Sequence, residues 1–397
     1  MRIVLLSFFF LCQIYGFGQS LLTPGETIKI DKDQLAKTKK AIAEKAPQLS
    51  LPYQTLLNKA NSLLNVAPKS VMDKTDIPPS GSKHDYVSLA PYWWPDSTKP
   101  NGLPYIKKDG LINPEVKNFP DKEHMPALCE NVYLLGIAYY LSDNEVYAKK
   151  ATELLTTWFI DTATRMNPNL NFAQMVKGIN NGRGTGIIDT RHFIYVIDGI
   201  QLLERSSYWT KEKNRVTKKW FSEFLSWLQN SPNGIEEMQT KNNHGVWYDA
   251  QTLAIALYVD STQMAKRIVE RSLQRLDQQS NSDHLFPLEL ERTNSLHYSN
   301  FNLNAFSVIA QLAKSIGINY WETETLHNHS LYKSYMALLP YLKNERAWSF
   351  QEITPYKLEE GYSLLYYAKN NIDCKDCLLF INQNCGNKNP YLLLQLL

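Results

Sequence analysis

The sequence has no large excess of charge of either sign. Its 397 residues include 42 basic and 39 acidic side chains, which gives a formal net charge of +3. A near-balanced charge gives no support for a nucleic-acid partner, because such proteins usually carry a strong basic excess or a basic stripe. With 44% hydrophobic and 20% charged residues, the composition also excludes a mainly disordered or collagen-like chain.

Long apolar runs are absent beyond the N-terminus, so we expect no membrane span. Arg2 precedes an apolar run from Ile3 to Tyr15, and small residues follow up to Gly18. This order is typical of a secretory signal peptide, and the run is shorter than the roughly 20 residues that a span needs. We expect residues 1–18 to be removed and residues 19–397 to form a single domain in the periplasm or outside the cell.

Alternating strand patterns are rare, and no repeat of fixed period is visible, which argues against the short regular solenoids. Apolar residues recur instead at helical spacings of three and four, over residues 148–159, 193–203, 216–228 and 306–316. Short polar turns join neighbouring helices, as in antiparallel helical hairpins. The pattern predicts an all-α protein of stacked hairpins, arranged as a solenoid or a closed toroid.

Cysteine is scarce, and three of the five cysteines cluster in the C-terminal segment 374–385. Cys374, Cys377 and Cys385 are compatible with one local disulfide and a spare thiol, with free thiols, or with a metal site that lacks a fourth ligand. Cys129 lies in an apolar helical run and is predicted to be a buried thiol.

Proline is concentrated where the helical pattern is interrupted. Nine of the 19 prolines lie between residues 73 and 126, around the aromatic run Tyr92-Trp93-Trp94. Long loops inside a compact domain are usually functional, and proline restricts the backbone. We therefore expect residues 80–120 to form an ordered, lid-like arm. A second interruption, residues 166–186, is glycine-rich but follows no strand pattern, so it does not predict a nucleotide site.

Two polar clusters adjoin predicted helix starts. The first, residues 241–249, opens a helix that continues to Val259, and asparagine is a good N-cap there. The second, residues 291–300, also precedes a helix, with Ser299 or Asn300 as the expected cap. Considered separately, each cluster is compatible either with a site or with ordinary structure, a capped helix start in the first case and a solvated surface loop in the second.

Taken together, the motifs resemble the alginate lyase superfamily of polysaccharide lyases, in its Bacteroidetes branch. In chain order, they are residues 86–96, Asn113 to Glu115, Gly182 to His192, Asn242 to Trp247, and Arg292 with Tyr298. The resemblance implies an incomplete (α/α) toroid or barrel with a cleft across one end. It also implies an enzyme that cleaves an acidic, 4-linked polysaccharide, most readily alginate, by β-elimination.

The chemistry of β-elimination explains the residue types. The reaction removes the proton on C5 of a uronate and expels the C4 oxygen, and the C5 proton is too weak an acid while the carboxylate is ionised. Hydrogen-bond donors must therefore stabilise the charge that develops there. The resemblance assigns this role to Asn243 and Arg292, and it assigns the proton transfers to His244 and Tyr298.

The stereochemistry of the sugar divides the proton transfers. In β-D-mannuronate the C5 proton and the C4 oxygen lie on one face, so Tyr298 takes and returns the proton. In α-L-guluronate they lie on opposite faces, so His244 is the base and Tyr298 the acid. A tyrosine base must ionise, so its pKa must fall from about 10. We expect Arg292 and a nearby imidazole to lower it.

Further residues are expected to bind the substrate, and no metal or other cofactor is expected. The candidates are Asn242, Trp247, Tyr92, Trp93, Trp94, Arg191, His192 and His297. Of Trp93 and Trp94, we expect one to stack on a sugar and the other to pack beneath the arm. We expect a monomer.

Three alternatives remain at this stage. The same four residues would serve a glucuronan lyase. An α/α-barrel glycoside hydrolase would need two carboxylates about 5–9 Å apart, and the available ones are Glu236, Glu237, Asp189 and Asp249. A non-catalytic glycan-binding protein would need only the aromatic arm.

Overall fold

Helices form most of the chain in the computed structural model, which describes residues 31–385. The expected signal peptide lies outside the described residues. The α-helices in the described part are α1 (Lys32–Ala43), α2 (Pro47–Leu63), α3 (Asp121–Ser142), α4 (Glu145–Leu155), α5 (Phe193–Leu203), α6 (Lys211–Asn230), α7 (Pro232–Met238), α8 (Asn243–Tyr258), α9 (Thr262–Gln279), α10 (Pro287–Leu290), α11 (Ser295–Lys314), α12 (Leu331–Leu342), α13 (Tyr362–Asn371) and α14 (Lys375–Cys385). Hairpins of these helices form the predicted incomplete α/α toroid.

The helical periodicity identified its four segments correctly. Residues 148–159 lie in α4 and the π-helical turn that follows it, Thr156–Ile160; residues 193–203 are α5; residues 216–228 lie in α6; and residues 306–316 overlap α11. The turns that join helices reverse the chain through left-handed backbone at Asp143 and Asp260, with φ of 54° and 61°. No helix of the described part is long and apolar enough to cross a membrane.

Short strands occur where the helical pattern is interrupted. Strand β1 (Val87–Leu89) pairs in parallel with β4 (Phe172–Met175), and β2 (Trp93–Trp94) pairs antiparallel with β3 (Ile106–Lys107). The arm, residues 80–120, therefore contains three short strands and a 3₁₀ helix, Pro114–Asn118, and β1 attaches it to the glycine-rich segment. The arm's role as a lid over a cleft stays a prediction.

A buried carboxylate strengthens this attachment. Asp189, three residues after the glycine-rich segment, accepts hydrogen bonds from Tyr86 Oη and Ser88 Oγ of the arm, at 3.1 and 2.7 Å, and from Gln174 Nε2 at 3.0 Å. It also pairs with Lys122. Burial acts to raise the pKa of Asp189, but Lys122 and these donors hold it below its ordinary value.

Aromatic rings hold the hairpins together. Phe159, Phe193, Trp220, Phe221 and Phe224 pack mainly edge to face, with Phe159 and Trp220 only 4.8 Å apart between ring centroids. This geometry is the one that ring quadrupoles favour. The cluster joins the π-helical turn to α5 and α6.

The cysteines occupy two of the predicted states. Cys374 and Cys377 form a disulfide at the start of α14, with their Cα atoms 5.4 Å apart. Cys129 is a buried free thiol, as predicted, and burial raises its pKa.

Candidate functional site

Capping and ion-pair contacts fix the start of α8. Asn242 is its N-cap, and its Oδ1 accepts the His244 N–H at 3.2 Å. Arg275, paired with the buried Asp249 at 2.6 Å, also donates to the Thr240 carbonyl at 2.7 Å and so holds the chain that enters the helix. A Cβ at Gly245 would lie 2.3 Å from the Thr240 oxygen, so this close approach requires glycine.

The Asn243 amide is held by a buried carboxylate. Glu289, on the single-turn helix α10, accepts the Asn243 backbone N–H at 2.7 Å and its Nδ2–H at 2.8 Å. Burial raises the pKa of Glu289, while Asn243, Arg292 and His244 act to lower it, which indicates that all three lie near this carboxylate. Since Glu289 accepts one hydrogen of Nδ2, the other hydrogen remains for a ligand.

The His244 ring is oriented by a second buried carboxylate. Its Nδ1 lies 2.7 Å from Glu237 Oε1, and the Glu237 side chain is fully buried. A carboxylate partner places a proton on Nδ1. In the neutral ring, Nε2 is then left with its lone pair, and no hydrogen-bond partner of Nε2 occurs among the described residues. This nitrogen is therefore available as a base.

The Arg292 guanidinium is held by the arm. Its Nε and Nη2 donate to the two oxygens of Asp109 at 3.0 and 2.8 Å, and its Cζ lies 3.6 Å from the centre of the Tyr298 ring. Burial acts to lower the pKa of Arg292, but the Asp109 hydrogen bonds together with the charges of Tyr298, Asp109 and Glu289 raise it above its ordinary value. The cation is thus permanent and well oriented.

Tyr298 lies in the first turn of α11, because this helix begins about one turn earlier than the sequence predicts. The expected caps, Ser299 and Asn300, are wrong, because the helix begins at Ser295. Its first amides are satisfied from a distant segment: the Ser295 N–H by the Gln351 carbonyl at 3.0 Å, and the Leu296 N–H by the Glu352 carboxylate at 2.8 Å. Local sequence contains no sign of such a cap.

The Tyr298 hydroxyl faces the arm. It lies 2.8 Å from the Tyr92 hydroxyl. Burial and the neighbouring Tyr92 raise the pKa of Tyr298 well above its ordinary value, although Arg292 acts to lower it. The expectation of a lowered pKa is therefore wrong for the free enzyme, because the loss of hydration outweighs the guanidinium.

His297 has a different environment from the one predicted. Its Nδ1 lies 2.6 Å from Glu352 Oε1, and its Nε2 lies 3.2 Å from Glu360 Oε2. Both ring nitrogens are therefore engaged by carboxylates, and neither is left for a sugar. His297 joins α11 to residues 352–360.

Three predicted substrate-binding residues share one cavity. Arg191, His192 and Trp247, with Phe301, line a space of about 180 Å³. Trp247 follows His244 by three residues and Phe301 follows Tyr298 by three, so the cavity lies one helical turn along from both. Arg191 lies 5.4 Å from the Phe301 ring centre, and it forms no ion pair with a carboxylate of the described residues. Burial lowers its pKa.

Both arm tryptophans are half-buried, and the expected division into a stacking ring and a packed ring stays a prediction. Trp93 packs against Ala90, Tyr105 and Val176. Trp94 donates from Nε1 to the Leu111 carbonyl at 2.8 Å, with the Lys108 ammonium 5.3 Å from its ring centre.

The sequence pattern did not reveal the residues that support the site. These are Glu237, Glu289 and Asp109, together with Arg183, whose guanidinium lies 5.8 Å from the Trp93 ring centre. Of these four residues, only Arg183 lies in a motif that is visible in the sequence, Gly182-Arg183-Gly184. The three carboxylates have no local sequence signature, because each is identified only by the side chain that it contacts.

The carboxylates proposed for a hydrolase are all engaged. Glu237 contacts His244, Glu236 accepts the Gly184 N–H at 3.1 Å, and Asp189 anchors the arm. Asp249 pairs with Arg271 and Arg275. Within residues 31–385, the grouping that could hold a metal is Cys374, Asp376 and Cys377, and two of these form the disulfide.

Comparisons with known proteins show similarity to alginate lyases in sequence and fold. The sequence profile described as alginate lyase matches residues 70–348. A crystal structure of an alginate lyase from Bacteroides ovatus is 36% identical, with a TM-score of 0.87 over 93% of this chain and 98% of that one. Alginate lyase A1-III from Sphingomonas species A1 is 17% identical, with a TM-score of 0.56 over 84% and 91% of the two chains, and so shares the fold. A variant of A1-III in complex with a tetrasaccharide is 16% identical, with a TM-score of 0.55 over 82% and 88%. No curated protein sequence matches the chain.

Proposed function

Because this chain belongs to the alginate lyase family and is a polysaccharide lyase, we propose that it cleaves alginate by β-elimination and leaves unsaturated uronate ends. The observation that carries the proposal is the Asn243–His244–Arg292–Tyr298 group. Its members lie at or beside the starts of two packed helices, and their donors and acceptors match the steps of this reaction.

The first step is neutralisation of the uronate carboxylate. The free Nδ2–H of Asn243 and the unpaired edge of Arg292 donate hydrogen bonds to the carboxylate as the C5 proton leaves, so the enolate-like dianion forms at lower cost. Both donors are fixed in advance by Glu289 and Asp109. Prior orientation means that little reorganisation is needed at the moment of reaction.

The proton transfers then follow the stereochemistry of the sugar. With guluronate, His244 Nε2 takes the C5 proton and the Tyr298 phenol gives its proton to the C4 oxygen. With mannuronate, Tyr298 performs both transfers and must first ionise. The free enzyme is prepared for the guluronate route, because the raised pKa of Tyr298 keeps the phenol protonated and Glu237 leaves His244 Nε2 free.

The arm and the neighbouring cavity supply the binding surface. We place Tyr92 and the half-buried Trp94 over the cleft, and Arg191 with His192 and Trp247 as the site of a second sugar. Asn242 orients the start of α8, and its contact with substrate stays a prediction, as does that of Trp93.

Two further statements belong to this proposal. The N-terminal sequence supports export to the periplasm or the medium, with residues 1–18 as the signal. We also propose that the enzyme acts as a monomer on an acidic polysaccharide and needs no cofactor.

A substrate panel tests the proposal. Purified enzyme is incubated with poly-mannuronate, poly-guluronate and glucuronan, while reducing ends and the ultraviolet absorbance of the C4=C5 double bond are measured together. Equal growth of both signals on an alginate block supports alginate lyase, and growth on glucuronan alone supports the alternative substrate. Reducing ends without the absorbance would indicate a hydrolase and contradict the proposal.

A further inference from the structure

The arm contacts the proposed catalytic residues at a second point besides Tyr92. Asp109, which follows β3, accepts both the Nε–H and an Nη2–H of Arg292, at 3.0 and 2.8 Å. The two residues are 183 positions apart in the chain. Fork-to-fork pairs of this kind fix the plane of the guanidinium as well as its position.

This pairing leaves part of the guanidinium unused. A guanidinium has five N–H donors, and Asp109 takes only those on the Nε/Nη2 edge. No acceptor for Nη1 occurs among the described residues, and one face of the group is covered by the Tyr298 ring at 3.6 Å. Asp109 thus occupies the Nε/Nη2 edge of the guanidinium and the Tyr298 ring covers one face. The Nη1/Nη2 edge remains for a second carboxylate.

The turn that carries Asp109 lies close to Thr293 and Ile353. Gly110 has a φ of +76°, which favours glycine, and a Cβ there would lie 2.7 Å from Thr293 Oγ1 and 3.1 Å from Ile353 Cδ1. Thr293 Oγ1 also donates to Asp109 at 3.3 Å. Any larger residue at position 110 would push the turn away from Arg292.

We propose that Asp109 is a positioning residue of the arm, which holds Arg292 so that its Nη1/Nη2 edge receives the substrate carboxylate. The inference rests on the proposed function, because Arg292 neutralises a carboxylate only in that reaction. It makes the arm part of the catalytic machinery as well as a cover for the cleft.

The charge of Asp109 also provides an independent readout. Burial, Tyr92 and, to a smaller extent, Asp109 act to raise the pKa of Tyr298, and Arg292 acts to lower it. Burial acts to raise the pKa of Asp109 itself, but Arg292 and Lys107 hold it below its ordinary value, so the carboxylate is ionised at neutral pH. Replacement of Asp109 by a neutral residue should therefore move the ionisation of Tyr298 to lower pH.

The test is the Asp109→Asn variant, with Asp96→Asn as the matched control. Asp96 carries the same charge on the same arm, but the hydrogen bonds of its carboxylate within the described residues are to Thr98. We expect Asp109→Asn to lose kcat by about 10- to 100-fold with little change in KM, since a misplacement near 1 Å has effects of this size. Its alkaline limb of activity should move to lower pH. Asp96→Asn should leave kcat and the pH profile unchanged. Gly110→Ala, which keeps the carboxylate, should lower kcat in the same way.

A double-mutant cycle separates positioning from a general structural role. In an Arg292→Lys background, Asp109→Asn should cost less than about 3-fold, because the group that it positions is already gone. An unchanged kcat in Asp109→Asn, or an equal loss in both backgrounds, would overturn the inference while leaving the proposed function intact. A wild-type enzyme that forms no unsaturated product on any polyuronate would instead overturn the proposed function and this inference with it.

Discussion

Three of the four side chains proposed to act on the substrate are each held by an acidic residue. His244 contacts Glu237, Asn243 contacts Glu289, and Arg292 contacts Asp109, at sequence separations of 7, 46 and 183 residues. The four residues proposed to be catalytic could be named from the sequence because they lie in motifs that resemble those of a known family. Their partners could not, because only the folded chain determines which carboxylate lies beside which donor.

Tyr298 should remain a phenol at a pH where an ordinary tyrosine is half ionised. Its raised pKa means that the folded enzyme binds this proton more tightly than an exposed tyrosine does, so ionisation moves to higher pH. A difference titration of wild type against Tyr298→Phe, followed by tyrosinate absorbance, measures this directly. We expect less than half ionisation of Tyr298 at pH 10; half ionisation below that pH would show that Arg292 outweighs burial.

Arg292 and His244 should differ in how their loss affects the two alginate blocks. Arg292→Ala should reduce cleavage of every polyuronate by more than about 100-fold, because carboxylate neutralisation is common to all of them. His244→Ala should reduce cleavage of poly-guluronate more than that of poly-mannuronate. Rates of each variant on the two separated polymers decide this, and equal damage on both would argue that His244 orients or neutralises rather than removes the proton.

At the scale of elements, the arm and the start of α11 show what local sequence contains and what it lacks. The prolines and aromatics of residues 80–120 predicted an ordered arm, since they restrict the backbone and supply packing surface. The start of α11 was predicted one turn too late, because the groups that satisfy its first amides belong to residues 351–352. Caps supplied from a remote segment have no local signature.

Substitution of the two arm tryptophans should affect substrate binding in one case and stability in the other. Trp94→Ala should raise KM on polymer with a small change in Tm, because Trp94 is half-buried and bonded only within the arm. Trp93→Ala is the matched variant, and it should lower Tm more, since Trp93 packs against Tyr105 and Val176. A large fall in Tm with unchanged KM for Trp94→Ala would assign Trp94 to the core instead.

At the scale of the whole molecule, the all-α class followed from periodicity, because an amphipathic helix must bury one face and short turns make neighbours antiparallel. Closure into an incomplete toroid did not follow from that pattern and came from the resemblance, since no fixed repeat specifies the rotation between hairpins. The short strands β1–β4 were also missed, because segments of two to four residues are too short for a period to be visible.

The assembled site also predicts that activity is independent of metal ions. Asn243 and Arg292 supply hydrogen-bond donors that stabilise the developing charge, a role that a bound cation has in some other enzymes. Both side chains are already fixed by the fold. Dialysis of the enzyme against EDTA should leave at least about nine-tenths of the initial rate on alginate. A large loss that added Ca²⁺ restores would mean that a metal neutralises the carboxylate.

The most direct test of the central claim, β-elimination through the Asn243–His244–Arg292–Tyr298 group, compares wild type with Tyr298→Phe on alginate. The substitution removes only the hydroxyl that transfers the proton and keeps the ring that stacks on Arg292. We expect ultraviolet absorbance from unsaturated ends to appear with wild type and to fall by 10²–10⁴-fold or more in the variant, at an unchanged Tm. A Tyr298→Phe enzyme that is folded and retains more than about a tenth of the wild-type rate would contradict the account.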